Sequence, residues 1–221
     1  MKPGTRLPKS KGERTRERIV ARVAPLFNQR GFAGASMADL IAVTGLRAGG
    51  VYRHFEGKEA LAIAAFDHAA ARHWAFYNEA VAGATGAVNR AVALVNAVAS
   101  IVARPIVPGG CPLLNAAVET DDAHPAMPAL RARVRRAMDK VVGLGRQILV
   151  DGIATGELPP SVDAASEARI AVATIEGAIM LAKLYNDPSI AREAAAHVGE
   201  RMRALAGDAR PRRRTNRRRI P

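Results

Sequence analysis

Residues 44–55 read TGLRAGGVYRHF, a stretch that combines a helix-like apolar pattern with two adjacent glycines. Its apolar residues recur at near-helical spacing and predict a short helix: Leu46, Val51 and Phe55. Gly49 and Gly50 lie inside this helix, although each glycine costs roughly 1 kcal/mol relative to alanine in a helix interior. Three side chains that can donate hydrogen bonds follow the glycines: Tyr52, Arg53 and His54. The stretch therefore predicts a weak helix with an open backbone and polar groups beside it.

Two more helices are predicted upstream of this stretch. An apolar stripe over residues 10–30 predicts a long helix, which Pro25 should bend or weaken in its last turns and which Gly31 should end. Residues 36–39, Ser-Met-Ala-Asp, have the form of a capping box and open a short second helix that ends at the turn residue Gly45. One long helix followed by two short ones around a tight glycine turn is the helix-turn-helix arrangement.

The composition limits the class of protein. The chain has 221 residues, 49% hydrophobic and only 4% aromatic, which favours closely packed helices over a β-sandwich. No apolar run is long enough for a transmembrane helix, and the N-terminus lacks the pattern of a secretory signal. The single cysteine, Cys111, excludes an intrachain disulfide and suits a reducing cytoplasm. We therefore expect a cytoplasmic protein without a membrane segment.

The net charge of +13 is unevenly distributed along the chain. It is +7 over residues 1–60, zero over residues 61–207 and +6 over residues 208–221. A neutral body with a basic head and a basic tail indicates a polyanion bound at one end. The alternative is that the basic ends only keep the protein soluble.

Helical periodicity and helix-ending residues continue to about residue 207 and predict an all-α fold of about nine helices. The remaining helices are predicted at residues 58–82, 87–103, 113–120, 126–153, 163–185 and 187–207. The chain then divides into four predicted segments: a disordered basic arm (1–9), a three-helix helix-turn-helix domain (10–57), a larger ligand-binding and dimerisation domain (58–207) and a disordered Arg-rich tail (208–221).

The helix at residues 163–185 is apolar on two faces, so it needs a neighbour on each side. One neighbour is the rest of the body, and the other is predicted to be a second copy of the chain, which makes a homodimer through the last two helices. The alternative is a central helix of a monomeric bundle. The predicted interface residues are Ile175, Ala178, Ala182, Tyr185, Ala194, His197 and Arg201.

About 50 consecutive residues resemble the N-terminal domain of TetR-type transcriptional repressors. The matching positions are Gly31-Phe32, Ser36-Met-Ala-Asp-Leu-Ile41, Gly45-Leu46, Val51-Tyr-Arg-His-Phe55 and Lys58-Glu-Ala-Leu61. The resemblance implies an all-helical protein in which three helices bind DNA and a larger domain dimerises and binds an inducer.

The resemblance also implies roles for single residues. Tyr52, His54 and Lys58 would contact phosphates, and Ser36 would contact the DNA backbone. The positions that usually read bases are Arg47, Ala48, Gly49, Gly50 and Arg53. Relatives often have Ser-Lys-Gly-Thr at residues 47–50, so the usual N-cap is missing here, and Thr44 or the Gly45 turn must satisfy the first N–H groups. Arg47 and Arg53 become the expected base readers, because arginine can bond guanine bidentately.

A pocket for the inducer is predicted from the helix that joins the two domains. Trp74 and Tyr77 can form its wall, although simple core packing is the alternative. Cys111 stands at a helix start, where a thiol pKa can be lowered, so redox sensing competes with an inert buried thiol. The predicted pocket residues are His73, Trp74, Tyr77, Cys111 and Asn115.

No metal or other cofactor is expected. The acidic cluster at Glu119, Asp121, Asp122 and His124 has no matching ligands elsewhere and is interpreted as a solvated loop. The catalytic signatures for hydrolases, metalloproteases and nucleotide-binding enzymes are missing, which disfavours a small enzyme or a ligand carrier. A third possibility is an architectural DNA binder that responds to no ligand, and such a protein would lack a ligand cavity. The sequence therefore predicts a homodimeric repressor that a small molecule releases from a palindromic operator.

Overall fold

The structure, a computed structural model, describes residues 9–120 and 127–207, and over these ranges it is all-α with nine helices. The predicted arm, except Lys9, and the predicted tail lie outside the described residues. The helices are α1 (Lys11–Gly34), α2 (Met37–Thr44), α3 (Ala48–Tyr52), α4 (Lys58–Ala82), α5 (Ala87–Ser100), α6 (Pro112–Glu119), α7 (Pro128–Ala154), α8 (Ala164–Tyr185) and α9 (Ser189–Gly207). The predicted all-α fold is confirmed.

The first helix begins and breaks where its sequence requires. Ser10 is the N-cap of α1: its hydroxyl accepts from the amide of Glu13, and the Glu13 carboxylate accepts from the amide of Ser10. This reciprocal pair is a capping box, which the sequence analysis did not identify. Within α1 the non-helical residue is Gly31, with φ 72°, and not Pro25. The regular part of α1 therefore ends at the predicted glycine, and residues 32–34 form one further turn.

We call residues 10–57 the head and residues 58–207 the body, after the two predicted domains. Each has its own buried apolar cluster, and α4 contributes to both. Leu61 and Ala65 are buried in the head cluster with Val23, Leu40 and Val51 of the head helices. Further along α4, the side chains buried in the body cluster are those of Tyr77 and Val81. Helix α4 is thus the rigid element that passes from the head core into the body core.

The structure corrects part of the predicted dimer interface. Ile175, Ala178 and Ala182 are buried in the core of this chain, because that face of α8 packs against its own neighbouring helices α5, α7 and α9. They cannot also contact a second copy. The exposed apolar side chains lie on the other face and end of α8: Ile170, Met180, Leu181, Leu184 and Tyr185. Of the predicted interface residues, Tyr185, His197 and Arg201 are exposed and Ala194 is half-buried.

The other helix ends agree with the sequence expectations to within a few residues. Helix α5 ends at Ser100, three residues before the predicted end, and turns follow it. Asp163 caps α8 as predicted, accepting from the amides of Ala165 and Ser166. Helix α9 begins at Ser189, whose amide donates to Asp187. Among the nine helices described here, none is long and apolar enough to cross a membrane.

Candidate DNA interface and body cleft

The turn between α2 and α3 is fixed by backbone geometry and by one contact from α1. Gly45 ends α2 in the left-handed region, at φ 67°, and its amide donates to the carbonyl of Ala42. The guanidinium of Arg22, on α1, donates to the carbonyl of Thr44 at 2.6 Å. A left-handed residue is costly without glycine, so Gly45 is required where the chain reverses. The two short helices are thereby held at a fixed angle on α1.

Helix α3 starts without a side-chain cap. Its N-cap residue is Arg47, which makes no capping hydrogen bond. The hydroxyl of Thr44 accepts instead from the amide of Leu46, inside the turn, at 3.2 Å. The Thr44 hydroxyl therefore pairs with an amide of the turn and not with the first N–H groups of α3. Of the two predicted ways to satisfy these groups, the one through Thr44 is wrong.

The two sides of the quoted stretch have opposite environments. Val51 and Phe55 are buried in the head core, and the guanidinium of Arg16 lies 4.7 Å from the Phe55 ring centroid. The opposite side is open to solvent and carries the residues expected to meet DNA: Arg47, Ala48, Gly49, Tyr52 and Arg53. Tyr52 is 49% exposed although it is a large aromatic residue, and His54 beside it is half-buried. Apolar packing thus turns the polar side of α3 outward.

Two of the predicted phosphate-contacting residues already have partners in the head. The hydroxyl of Ser36 donates to the carboxylate of Asp39 at 2.7 Å. This bond, together with one from the backbone amide of Ser36, holds the pKa of Asp39 below its ordinary value. A phosphate is an acceptor, so Ser36 would have to give up this bond to reach one. The ammonium group of Lys58 lies 5.4 Å from the Phe32 ring centroid, at the start of α4. The same ammonium group donates to the carbonyl of Ala33 at 3.5 Å.

The two glycines of α3 are not required by the protein's own packing. A Cβ added to Gly49 would meet nothing within 4 Å, and one added to Gly50 would meet only the side chain of Leu46, at 3.5 Å. An alanine would fit both positions and would favour the helix. The prediction that the bare backbone serves an external partner remains a prediction, and the space around Gly49 is consistent with it.

The head is tied to the body by the last residue of α6. The carboxylate of Glu119 accepts hydrogen bonds from the backbone amide of Phe32, at 2.8 and 2.9 Å from its two oxygens. A Cβ on Gly31 would lie 2.0 Å from one of these oxygens, and the φ of Gly31 is 72°. Gly31 therefore both permits the break in α1 and leaves room for the carboxylate.

An asparagine pair makes a second connection between α1 and α6. The buried amide of Asn28 donates to the carbonyls of Pro108 and Gly110, at 3.0 Å each. The amide of Asn115, on α6, donates to the side-chain oxygen of Asn28 at 2.9 Å and to the carbonyl of Gly109 at 3.0 Å. Asn115 is thus a structural residue between head and body, which sequence reasoning had placed in the ligand pocket.

The loop before α6 also enters the head. Val107 is buried in the head core, with the apolar residues of α1 to α4. A Cβ on Gly109 would lie 2.5 Å from the carbonyl oxygen of Asn28, so only glycine allows this approach. The ammonium group of Lys183, on α8, donates to the carbonyl of Gly109 at 3.2 Å. We call the contacts of Glu119, Asn115, Asn28 and the 107–110 loop the joint.

The first residue before α6 faces the body core. Cys111 is the N-cap of α6, and its thiol donates to Oε1 of Glu176, on α8, at 3.3 Å. Burial raises the pKa of the Cys111 thiol well above its ordinary value, and the nearby carboxyl of Glu176 adds to the rise. The amides of Leu113 and Leu114 at the helix start do act to lower this pKa, as expected, but burial outweighs them. A buried, protonated thiol is a poor nucleophile, which argues against redox sensing.

Sequence reasoning missed Glu176. Burial raises the pKa of its carboxyl, and Oε2 has no hydrogen-bond partner among the residues that the structure describes. The signal was an isolated acid in the otherwise uncharged run at residues 170–182. Because α8 is apolar on both faces, that run does not show whether the Glu176 side chain is buried or exposed.

A cleft of about 350 Å³ opens between α4 and α7. Three of the five predicted pocket residues line it: His73, Trp74 and Tyr77. Cys111 and Asn115 do not line it, because Cys111 faces Glu176 and Asn115 belongs to the joint. The three α4 residues thus share one cleft that the two residues around α6 do not line, and its role as a ligand pocket stays a prediction. Within residues 9–120 and 127–207, no group of side chains is arranged to hold a metal ion. Asp121, Asp122 and His124 lie outside the described residues.

Comparison with known proteins identifies the family. Residues 19–65 match the description "Bacterial regulatory proteins, tetR family", and residues 87–198 match "Tetracyclin repressor-like, C-terminal domain". An uncharacterised HTH-type transcriptional regulator from Mycobacterium tuberculosis is 31% identical over 177 residues, which cover 78% of this chain and 86% of that protein. The chain therefore belongs to the TetR family. It is a DNA-binding transcriptional regulator and not an enzyme.

Solved structures of TetR-family regulators superpose on this one. The regulator from Chloroflexus aurantiacus has a TM-score of 0.83 and 42% identity, over 87% of this chain and 96% of that one. The regulator from Cytophaga hutchinsonii has a TM-score of 0.81 and 30% identity, over 90% of this chain and 98% of that one. The regulator CifR, a cysteine mutant complexed with 26-bp double-strand operator DNA, has a TM-score of 0.73 and 22% identity, over 91% of this chain and 100% of that one.

The open space at Gly49 yields a prediction in which stability and DNA affinity change in opposite senses. Gly49→Ala should raise the free energy of unfolding by about 0.5–1 kcal/mol, because alanine favours the helix and its Cβ meets nothing. It should weaken operator binding roughly tenfold, because the Cβ separates the backbone from the DNA. Urea denaturation and fluorescence anisotropy with labelled operator measure the two effects.

Gly143→Ala, on α7, is the matched control. A Cβ there also meets nothing within 4 Å, so the variant should gain similar stability and bind operator unchanged. Equal operator affinity for Gly49→Ala and the parent chain would show that the bare backbone at Gly49 has no role in DNA binding.

Proposed function

We propose that this protein is a homodimeric repressor that leaves a palindromic operator when a small molecule binds its body. The observation that carries the proposal is the placement of α6, which contacts the head through the joint and the body core through Cys111. The proposal goes beyond the family assignment in its ligand response, its direction of regulation and its two-fold symmetry. As a DNA-binding regulator it would act in the cytoplasm.

The face of α6 supports coupling between the two parts. Cys111, Asn115 and Glu119 are four residues apart in sequence, so they share one side of this helix. Their partners belong to two helices from the two parts of the protein: Glu176 of α8 in the body, and Asn28 and Phe32 of α1 in the head. A ligand that moved α6 would therefore move the contacts of α1. By linkage, a ligand that prefers the shifted arrangement weakens operator binding by its differential affinity for the two states.

The exposed apolar side of α8 supports a dimer. It presents Leu181, Leu184 and Tyr185 to solvent, and exposed apolar patches of this kind mark interaction sites. The groove beside it, between α8 and α9, includes the predicted interface residues His197 and Arg201. A two-fold pair of chains would place two heads on the half-sites of a palindrome, about 34 Å apart.

The proposed contacts in each half-site follow from the outward side of α3. Arg47 and Arg53 are exposed, and we propose that they read bases in the major groove, with Ala48, Gly49 and Gly50 lying against the DNA. Tyr52, His54 and Lys58 would hold phosphates, and Ser36 would do so at the expense of its bond to Asp39. CifR, which has the same fold, has been solved in complex with 26-bp double-strand operator DNA, and this supports double-stranded DNA as the partner. The body cleft favours ligand control over the architectural alternative, which would lack a cavity.

Leu181→Glu tests the dimer. The exposed fraction of Leu181 is 39%, and burying a charge there without a partner should raise the dimer dissociation constant by roughly 100-fold or more. Sedimentation velocity should then show monomers at concentrations where the parent chain is dimeric. Val150→Glu, on α7, replaces an apolar side chain that is 40% exposed and should remain dimeric. A fully dimeric Leu181→Glu chain would exclude this face as the interface.

Glu119→Ala tests the joint. Removing the carboxylate frees the Phe32 amide and loosens the head, so binding to a full palindrome selected from random duplexes should fall about tenfold. Binding to an isolated half-site should be unchanged, because a half-site needs only one head. Fluorescence anisotropy on the two duplexes measures the difference.

Glu157→Ala is the control for Glu119→Ala. The carboxylate of Glu157 also accepts from backbone amides after a positive-φ glycine, those of Ala87 and Val88 at 2.6 and 2.9 Å, but within the body. The Glu157→Ala variant should lose about as much stability as Glu119→Ala and should keep the parent chain's affinity for the full palindrome. Equal affinities of the Glu119→Ala and parent chains for the full palindrome would contradict a joint that sets the positions of the heads.

A further inference from the structure

The cleft between α4 and α7 has an unused acceptor at its buried side. His73 is 1% exposed, and its Nδ1 lies 2.9 Å from the carbonyl oxygen of Ala69. A carbonyl only accepts, so Nδ1 carries the proton of the neutral ring and Nε2 presents a lone pair. Burial lowers the pKa of His73, which keeps the ring neutral. Nε2 is buried and has no partner among the described residues, so a ligand hydroxyl that displaced a neighbouring side chain to reach it would supply the missing partner.

The rim of the cleft is positively charged. Asp67 and Arg133 lie there and neutralise each other, with 2.6 Å between their charged atoms. Arg136 and Lys140 also line the cleft, and neither has an acidic partner in the described part of the chain. The ammonium group of Lys140 lies 6.0 Å from the Trp74 ring centroid. The rim therefore offers a ligand two cations that have no acidic partner among the described residues.

The walls between the rim and His73 are apolar. They consist mainly of hydrocarbon and aromatic side chains, those of Phe66, Ala70, Trp74, Leu113, Ala137 and Val141. A cleft of about 350 Å³ is in the usual range for small organic ligands. A ligand that fills it has to be apolar along its length and polar at its two ends.

We propose that this cleft binds an amphipathic organic carboxylate that carries a hydroxyl group at its far end. Arg136 and Lys140 hold the carboxylate, the apolar walls hold the carbon skeleton, and the hydroxyl donates to Nε2 of His73. This inference rests on the proposed function, because it names the chemical class of the molecule that would control operator binding.

Two hydroxy acids of different shape serve as probes: 10-hydroxydecanoate and 6-hydroxy-2-naphthoate. Titration calorimetry on the full-length protein should show binding of at least one. The matching acid without the hydroxyl should bind about tenfold more weakly, and so should the methyl ester, which lacks the anion. The chain has a single tryptophan, Trp74, so quenching of its fluorescence by 10-hydroxydecanoate would report directly on this cleft.

Variants locate the two ends of the ligand. Arg136→Gln and Lys140→Gln should each weaken binding about tenfold, whereas Arg135→Gln, an exposed neighbour outside the cleft, should leave it unchanged. His73→Phe should bind the acids with and without the hydroxyl equally. His68→Phe, on the same helix but outside the cleft, should keep the preference, and circular dichroism checks that each variant is folded.

The outcomes separate this inference from the proposed function. The assigned ligand class is wrong if neither hydroxy acid binds. It is also wrong if the affinity of the acid that binds is unchanged by the substitutions at Arg136, Lys140 and His73. That result leaves the tests of the joint and the dimer untouched. If the acids bind with the expected dependence on these residues but operator affinity stays unchanged, the ligand site stands and ligand-controlled release fails.

Discussion

The contact on which the proposed mechanism depends is the pair of hydrogen bonds from the Phe32 amide to the Glu119 carboxylate, 2.8 and 2.9 Å long. It joins the end of α6 to the point where α1 breaks, and hydrogen bonds to a charged group are stronger than those between neutral groups. Gly31 makes the contact possible, since any side chain there would collide with the carboxylate. Beside the asparagine pair and the 107–110 loop, the position of the head relative to the body therefore depends on a carboxylate and on the missing Cβ of Gly31.

The two ends of α6 contact different kinds of surroundings. Cys111 faces a buried carboxyl in the body core, whereas Glu119 faces a backbone amide at the edge of the head. Between them, the amide of Asn115 bonds to Asn28. Because these groups are on one side of a short helix, a displacement of α6 would shift all three contacts. This arrangement gives a physical route between the cleft side of the body and α1, without any contact between ligand and DNA.

The sequence predicted the head better than the body for a physical reason. The α2 capping box, the Gly45 turn and the buried pair Val51 and Phe55 depend on interactions within a few residues, and each was readable from its spacing. The joint depends on residues 87 apart, Phe32 and Glu119, and the Cys111 contact to Glu176 on residues 65 apart. Spacing carries no information about such pairs. The inward face of α8 was misassigned for the same reason, since both faces are apolar and only tertiary packing chooses between them.

Amide hydrogen exchange in α6 tests the central claim most directly, because operator DNA bound to α3 should not touch α6. If the joint couples the head to the body, operator binding must stabilise one arrangement of the joint, and by reciprocity it must change α6 as well. The account predicts slower exchange in residues 112–119 and at the Phe32 amide when operator is bound to the parent chain, and loss of the α6 effect in Glu119→Ala. Protection confined to residues 36–58, with unchanged exchange in residues 112–119, would contradict the account.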